Sequence, residues 1–356
     1  MKKIIIPLVL FVLFLNGCSQ TLDQSQNPST VLTQQQLMSG PVKSCVEMKE
    51  EGGKFSCYDT FFKDTVAKQS PEVAFQYVKE LYDVIPTVKS FCHPYAHSIG
   101  HAAVQKYTTL AEAYKHGDAY CWSGYYHGVM EQISKNIGPD NLPKEMERIC
   151  NDMPGKEKYS FDYYNCVHGM GHGVMAITND ELFQSLKLCD NLKGRWEQES
   201  CYGGVFMENV IVDNLNHFTK YLKPEQPLYP CNAVEVPYKQ QCYLMQTSYM
   251  LKIAKYDFAK VFKQCEQADK DFVNICYQSL GRDASGSTVS NAVKARQLCL
   301  LGKDFTQQSN CVIGAVKDFV SYFHAETQAK EFCNGFTDKK LVDMCLSTEK
   351  EYYKTF

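Results

Sequence analysis

The cysteines of this chain are metered. Seventeen occur in 356 residues. Setting Cys18 aside, the rest fall two by two as Cys45/Cys57, Cys92/Cys121, Cys150/Cys166, Cys189/Cys201, Cys231/Cys242, Cys265/Cys276, Cys299/Cys311 and Cys333/Cys345. Their separations are 12, 29, 16, 12, 11, 11, 12 and 12 residues. From Cys166 onward the second members recur at steps of 35, 41, 34, 35 and 34 residues. A period near 34 is that of stacked helix hairpins, in which no unit buries its apolar face alone and each leans on its neighbours.

The segments between the pairs carry helical patterns. In "CYLMQTSYMLKIAKYDFAKVFKQC" (242–265) a first helix begins at its cysteine and a second ends at one, and Phe258, Val261, Phe262 and Cys265 make an i, i+3, i+4, i+7 stripe. "CVHGMGHGVMAITNDELFQSLKLC" (166–189) repeats the plan, with Thr178, Asn179 and Asp180 offering caps and Leu182, Phe183 and Leu186 a stripe. No segment keeps up the alternation of a strand. The expected fold is therefore all-α, an α-solenoid of about eight helix-hairpin repeats stapled by disulfides.

Two pairings suit that plan. A cysteine that ends one helix can bond one that starts the next antiparallel helix, at about 4.4–6.8 Å between Cα atoms. This scheme gives the eight pairs above and uses every cysteine after Cys18. The rival joins the two ends of one hairpin, as in Cys57–Cys92 or Cys166–Cys189, and strands Cys45 and Cys345. The first is preferred, with Cys92–Cys121 its least regular member because a whole HSIGH segment lies between. Pieces such as "CEQADKDFVNICYQSLGRDASG" are similar to the disulfide-rich Sel1-like branch of the tetratricopeptide superfamily over about residues 45–345. The resemblance implies a right-handed superhelix whose concave face, lined by first helices, binds a protein, peptide or other ligand.

The amino terminus reads MKK, then IIIPLVLFVLFL, then NGCSQ. A basic start and a short apolar run ahead of a small residue have the form of an export signal, too short for a membrane span. Leu15-Asn16-Gly17-Cys18 resembles a bacterial lipobox, which implies removal of residues 1–17 and lipidation of Cys18. Residues 18–42, rich in Gln, Ser and Thr, read as the lipidated cysteine and a disordered tether, and 43–356 as the solenoid. An even set of sixteen cysteines fits an exported protein, surface-anchored or facing the periplasm. The net charge is −3 with no basic run, which argues against nucleic acid as a partner.

Glycine and histidine concentrate in three segments: "YAHSIGHAAV" (95–104), "CWSGYYHGVM" (121–130) and "CVHGMGHGVM" (166–175). His127 and His172 each fall six residues after their cysteine, and matching Gly100-His101 to Gly171-His172 adds His101 to this lane of successive first helices; His97 and His168 share the next. Later repeats place Met207, Ser248, Arg282 and Lys317 in the first lane. Gly124/Gly128 and Gly169/Gly173 form smooth ridges along which helices can pack closely, offsetting glycine's cost of roughly 1 kcal/mol in a helix.

Histidines at i and i+4 share a helix face and can grip one cation, so His97, His101, His127, His168 and His172 are the candidate metal or ligand site, for Zn or Cu. Met130 and Met175, if they joined it, would favour Cu(I). Glu131 follows His127 by one turn and has three possible roles: fourth ligand, base for a bound water, or hydrogen-bond partner orienting an imidazole. The competing account is a lane of packing histidines inherited by duplication.

No Gly-x-Ser-x-Gly, phosphate-binding loop or Cys-x-x-Cys-His is present. "SLGRDASGS" (279–287) lacks the strand and lysine of a phosphate loop. Three functions are consistent with the sequence. The first is a non-catalytic envelope lipoprotein that binds a protein, peptide or glycan on its concave face, with a histidine metal site. The second is a metal-dependent hydrolase-like enzyme with Glu131 as general base. The third is a structural spacer.

Overall fold

The computed structural model describes residues 40, 42–211, 219–288, 291–323 and 325–354. The export signal at 1–17, Cys18 and most of the 18–42 tether lie outside the described residues. The helices are α1 (Lys43–Glu47), α2 (Glu51–Lys68), α3 (Pro71–Tyr82), α4 (Pro86–Ser90), α5 (Cys92–Lys106), α6 (Leu110–Lys115), α7 (Gly124–Ile137), α8 (Leu142–Ile149) and α9 (Phe161–Ile177). They continue with α10 (Leu182–Cys189), α11 (Arg195–Val210), α12 (Val236–Ile253), α13 (Phe258–Cys265), α14 (Val273–Ser287), α15 (Ala292–Cys299), α16 (Phe305–Phe323), α17 (Glu326–Asn334) and α18 (Lys339–Tyr353). Among the described residues there is no strand.

The long helices α2, α5, α7, α9, α11, α12, α14, α16 and α18 pack each on the next in chain order, an all-α solenoid. The shorter helices α3, α6, α10, α13, α15 and α17 each pack against the two long helices that flank them in the chain. The α13 stripe shows why: Phe258, Val261, Phe262 and Cys265 are all buried, and each large side chain contributes about 1.5–3 kcal/mol by leaving water. Between α11 and α12 the described residues 219–235 form turns instead of a second helix, which accounts for the step of 41.

Eight disulfides join Cys45–Cys57, Cys92–Cys121, Cys150–Cys166, Cys189–Cys201, Cys231–Cys242, Cys265–Cys276, Cys299–Cys311 and Cys333–Cys345, with Cα–Cα distances of 5.4–5.9 Å. Cys92–Cys121 differs in kind. It ties the start of α5 to the turn that leads into α7, whereas the other pairs tie a short helix, or for Cys231 a turn, to a long helix. A framework of this density places the folded chain in an oxidising, extracytoplasmic setting. No helix among the described residues is long and apolar enough to cross a membrane.

Three pairs of long helices touch backbone to backbone through reciprocal glycines. A Cβ on Gly100 would fall on the Tyr125 carbonyl, and one on Gly128 on the His97 carbonyl. Gly171 meets the Cys201 carbonyl and Gly204 the His168 carbonyl; Gly281 meets the Cys311 carbonyl and Gly314 that of Gln278. At Gly173 a Cβ would fall on the Ser134 hydroxyl, as close an approach but to a side chain, whereas Gly169 is looser, with Met130 Cβ its nearest neighbour at 3.2 Å.

One local expectation fails. Thr178, Asn179 and Asp180 do not cap α10. Asn179 and Asp180 have φ of 52° and 60°, forming a left-handed turn, and Thr178 Oγ1 bonds the Val174 carbonyl. Lys255 and Tyr256 make the same turn before α13 with φ of 54° and 60°. There Asp257 does cap, accepting from the Lys260 amide at 3.0 Å.

Candidate functional site: a buried histidine cluster

The glycine contacts fix the true register of the inner helices. Gly100, Gly171 and Gly281 are equivalent, and so are the residues they rest on, Tyr125, Cys201 and Cys311. The position held by cysteine in α9, α11, α14 and α16 is therefore held by Tyr95 in α5 and Tyr125 in α7. Both tyrosines are fully buried. Cys121 lies one helical turn earlier. Three consecutive left-handed residues, Cys121, Trp122 and Ser123 (φ 61°, 56° and 59°), precede Gly124, so α7 does not start at its cysteine.

This register corrects the lanes obtained by counting from the cysteines. His97, His127 and His168 share one lane, two residues after the reference position. His101, Glu131, His172 and Met207 share the next, one turn on. The cause is the left-handed turn at 121–123, invisible as a spacing because Cys121 still finds a disulfide partner.

The side chains converge. His93 joins them from the first turn of α5. The His93 and His97 rings are 4.6 Å apart, His97 and His127 5.4 Å, His127 and His168 5.4 Å, and His168 and His172 5.3 Å between centroids. His127 stacks on His172 at 4.0 Å. Three overlapping trios place ligand atoms within 4.8 Å of one another: His93/His97/His127, His127/His168/His172 and His97/Glu131/His172. His101 stands at the edge, with Nε2 at 2.7 Å from Glu131 Oε2.

Outward hydrogen bonds set the tautomers. His93 Nδ1 donates to the Cys121 carbonyl at 2.7 Å, so the displaced turn that shifts α7 also anchors this ring. His97 Nδ1 meets Glu131 Oε1 at 2.7 Å, and His172 Nδ1 meets Glu208 Oε2 at 2.6 Å. His168 bonds the Ser200 backbone. Its Nδ1 also lies 3.2 Å from the Tyr164 hydroxyl, and its Nε2 3.3 Å from Met207 Sδ. A carbonyl or ionised carboxylate only accepts, so Nδ1 of His93, His97 and His172 carries hydrogen, and in each ring that is neutral Nε2 keeps a lone pair.

The consequences are visible. His93 Nε2 and His97 Nε2 face each other at 2.9 Å, a contact that two lone pairs cannot make without a proton or a cation between them. His172 Nε2 and His127 Nδ1 are buried with no hydrogen-bond partner. His127, His168 and His172 are 2%, 3% and 0% exposed.

Protonation follows this geometry. Burial pushes His93 down to about 3, with His97 adding to the effect. Burial, followed by the neighbouring His172, holds both His127 and His168 well below the usual imidazole value. Burial also opposes charge on His97, but the Glu131 carboxylate outweighs it and raises that imidazole. Burial would raise Glu131, yet His97 and His101 outweigh it and hold the carboxyl well below its ordinary range. Charge is thus favoured on His97, facing Glu131, and disfavoured on His93, His127 and His168.

Both Glu131 oxygens are engaged by imidazoles, so this residue orients rings in the arrangement seen and is not free to act on a water. Met130 and Met175 are fully buried among the helices, whereas Met207 is the thioether that reaches the histidines. The pocket of about 50 Å³ lined by Met146, Tyr163 and Glu197 contains none of these residues.

The inner face beside the cluster is narrow. Trp122 Nε1 comes within 3.5 Å of where a Gly286 Cβ would sit, so the end of α14 folds back to the turn before α7. Burial raises the Tyr164 phenol, with Tyr352 of α18 adding to it. Sequence reasoning missed His93 and Glu208. His93 was legible, because His93, His97 and His101 are spaced four apart. Glu208 had no comparable signal.

No known protein family matches the chain, and neither curated proteins nor solved structures yield a similar one.

Proposed function

We propose that this protein is an exported, disulfide-stapled binding protein whose cargo is a late first-row transition metal ion, zinc or copper, held by the histidine cluster. The observation that carries the reading is the convergence of imidazole nitrogens on one centre, with Nδ1 of His93, His97 and His172 anchored outward on a backbone carbonyl or a carboxylate. That is how metal-binding imidazoles are oriented and made more basic. Nitrogen donors suit zinc and copper alike, and the Met207 thioether adds affinity for the cuprous ion.

Binding rather than catalysis is favoured by the burial of the rings and the double engagement of Glu131. A small cargo is favoured over a peptide or glycan by the approach of Trp122 to Gly286 across the inner face. The MKK start, the apolar run and the lipobox-like Leu15–Cys18 stretch support export and a lipid anchor at Cys18, with the membrane as the partner that holds the protein in place. The helix-hairpin order supports the Sel1-like reading of the architecture.

The test is elemental analysis of residues 19–356, produced in an oxidising compartment without a histidine tag or chelator. A variant with alanine at His97, His101, His127, His168 and His172 is run beside it. Near-stoichiometric zinc or copper that vanishes in the variant is expected. A native chain that stays metal-free after exposure to micromolar Zn²⁺ and copper would overturn the proposal.

A further inference from the structure

Building on the metal-binding reading, we infer that the cluster holds two metal ions about one shared ligand, with His127 as the residue common to both. Five imidazoles surround the centre, and a tetrahedral ion takes four ligands in all. The structure divides these five into the trios His93/His97/His127 and His127/His168/His172, which overlap only at His127. The chain adds one helix to each side: α5 supplies His93 and His97, α9 supplies His168 and His172, and α7, between them, supplies His127.

His127 is built differently from its neighbours. The four flanking rings each bond a protein acceptor outside the cluster. His127 Nδ1, though buried, has no partner at all. An imidazole left unanchored between two trios is suited to present one nitrogen to each, losing its N–H proton to solvent as the second ion binds. It lies flat on His172 at 4.0 Å, so filling the second trio turns one of these rings out of the stack. Charge supports a pair of ions: Glu131 and Glu208 stand behind the two sides, one behind His97 and the other behind His172. The third trio, His97/Glu131/His172, draws one histidine from each side and so marks the boundary between the two positions.

The experiment titrates Zn²⁺ into the metal-free chain against a chromophoric chelator, then repeats the titration with Cu²⁺ and records electron paramagnetic resonance spectra. Two zinc ions per chain are expected. His93→Ala and His168→Ala should each drop the ratio from two to one, and His127→Ala should weaken both positions by at least tenfold. In the copper-loaded native chain the two ions should couple through the imidazole and lose most of their signal. In His168→Ala the single ion should show full intensity.

A ratio of one in the native chain overturns the pair while leaving the metal reading intact. A ratio of zero overturns both. Two uncoupled copper signals of full intensity overturn the shared ligand. The native-chain spectra decide that point even if His127→Ala does not fold.

Discussion

Replacing Gly128 with alanine tests whether backbone contact, rather than helix propensity, governs the inner row. The new Cβ would fall on the His97 carbonyl, where an ordinary carbon–oxygen contact needs about 3.2 Å. The obstacle is a carbonyl inside α5, which cannot rotate aside, so α5 and α7 must move apart by about 1 Å. Overpacking of this kind costs about 1–3 kcal/mol, and alanine's better propensity returns about 1 kcal/mol. The net expectation is destabilisation by up to about 2 kcal/mol. Gly52→Ala is the control: nothing lies within 4 Å of its Cβ, so only propensity acts, and a gain of up to about 1 kcal/mol is expected. Urea denaturation with chelator present measures both. Hydrogen exchange should also show amides of α5 and α7 losing protection in Gly128→Ala alone. Equal gains in the two variants would refute the reasoning, because the close approach would then impose no constraint.

Glu131→Gln should cost about 3 kcal/mol by leaving His97 without its counter-charge. The carboxyl is depressed in the fold, so its contribution is present above its unfolded value and lost as pH falls; His97 is raised, so its contribution is lost as pH rises through the folded value. The gap between native and variant stability should therefore be widest between about pH 4.5 and 6.5 in a chelator-containing denaturation series, and a pH-independent gap would contradict this. Burial raises Asp318 to about 6; Ser285 and Arg282 oppose the shift and Asp283 adds to it. A raised carboxyl stabilises the fold only at low pH and penalises it near neutrality, so Asp318→Asn should gain up to about 3 kcal/mol at pH 7 and nothing below pH 4. Serine at both Cys265 and Cys276 opens a short loop and should cost about 3 kcal/mol, read as a lower denaturation midpoint; no change would show that the staple is redundant with helix packing.

The architecture was legible because its two signals are local and periodic. Cysteine spacing gives the repeat, and stripes such as Phe258, Val261 and Phe262 give helices within it. What the spacing hid was a change of register. Cys121 keeps its disulfide while sitting a turn ahead of α7, because three left-handed residues take up the slack. Counting from cysteines therefore placed His127 beside His172 in a lane, when it belongs with His97 and His168. The glycines held the correction: Gly100 and Gly128 mark the same contact as Gly171 and Gly204, but only reciprocal backbone approach reveals it. His93 was legible as the first member of the i, i+4 series His93, His97 and His101. Glu208 could not be foreseen, since a glutamate on α11 reaches His172 only once the long helices are stacked.

Anomalous diffraction tests the metal site most directly. Crystals of the chain grown with Zn²⁺ would be measured above and below the zinc edge. The account predicts anomalous density among His93, His97, His127, His168 and His172, at roughly 2.0–2.1 Å from their nitrogens. His116, bonded to Glu72 at 2.6 Å at the surface, provides the alternative site within the same crystal. Density at His116 alone, with the buried rings still stacked and metal-free, would contradict the account.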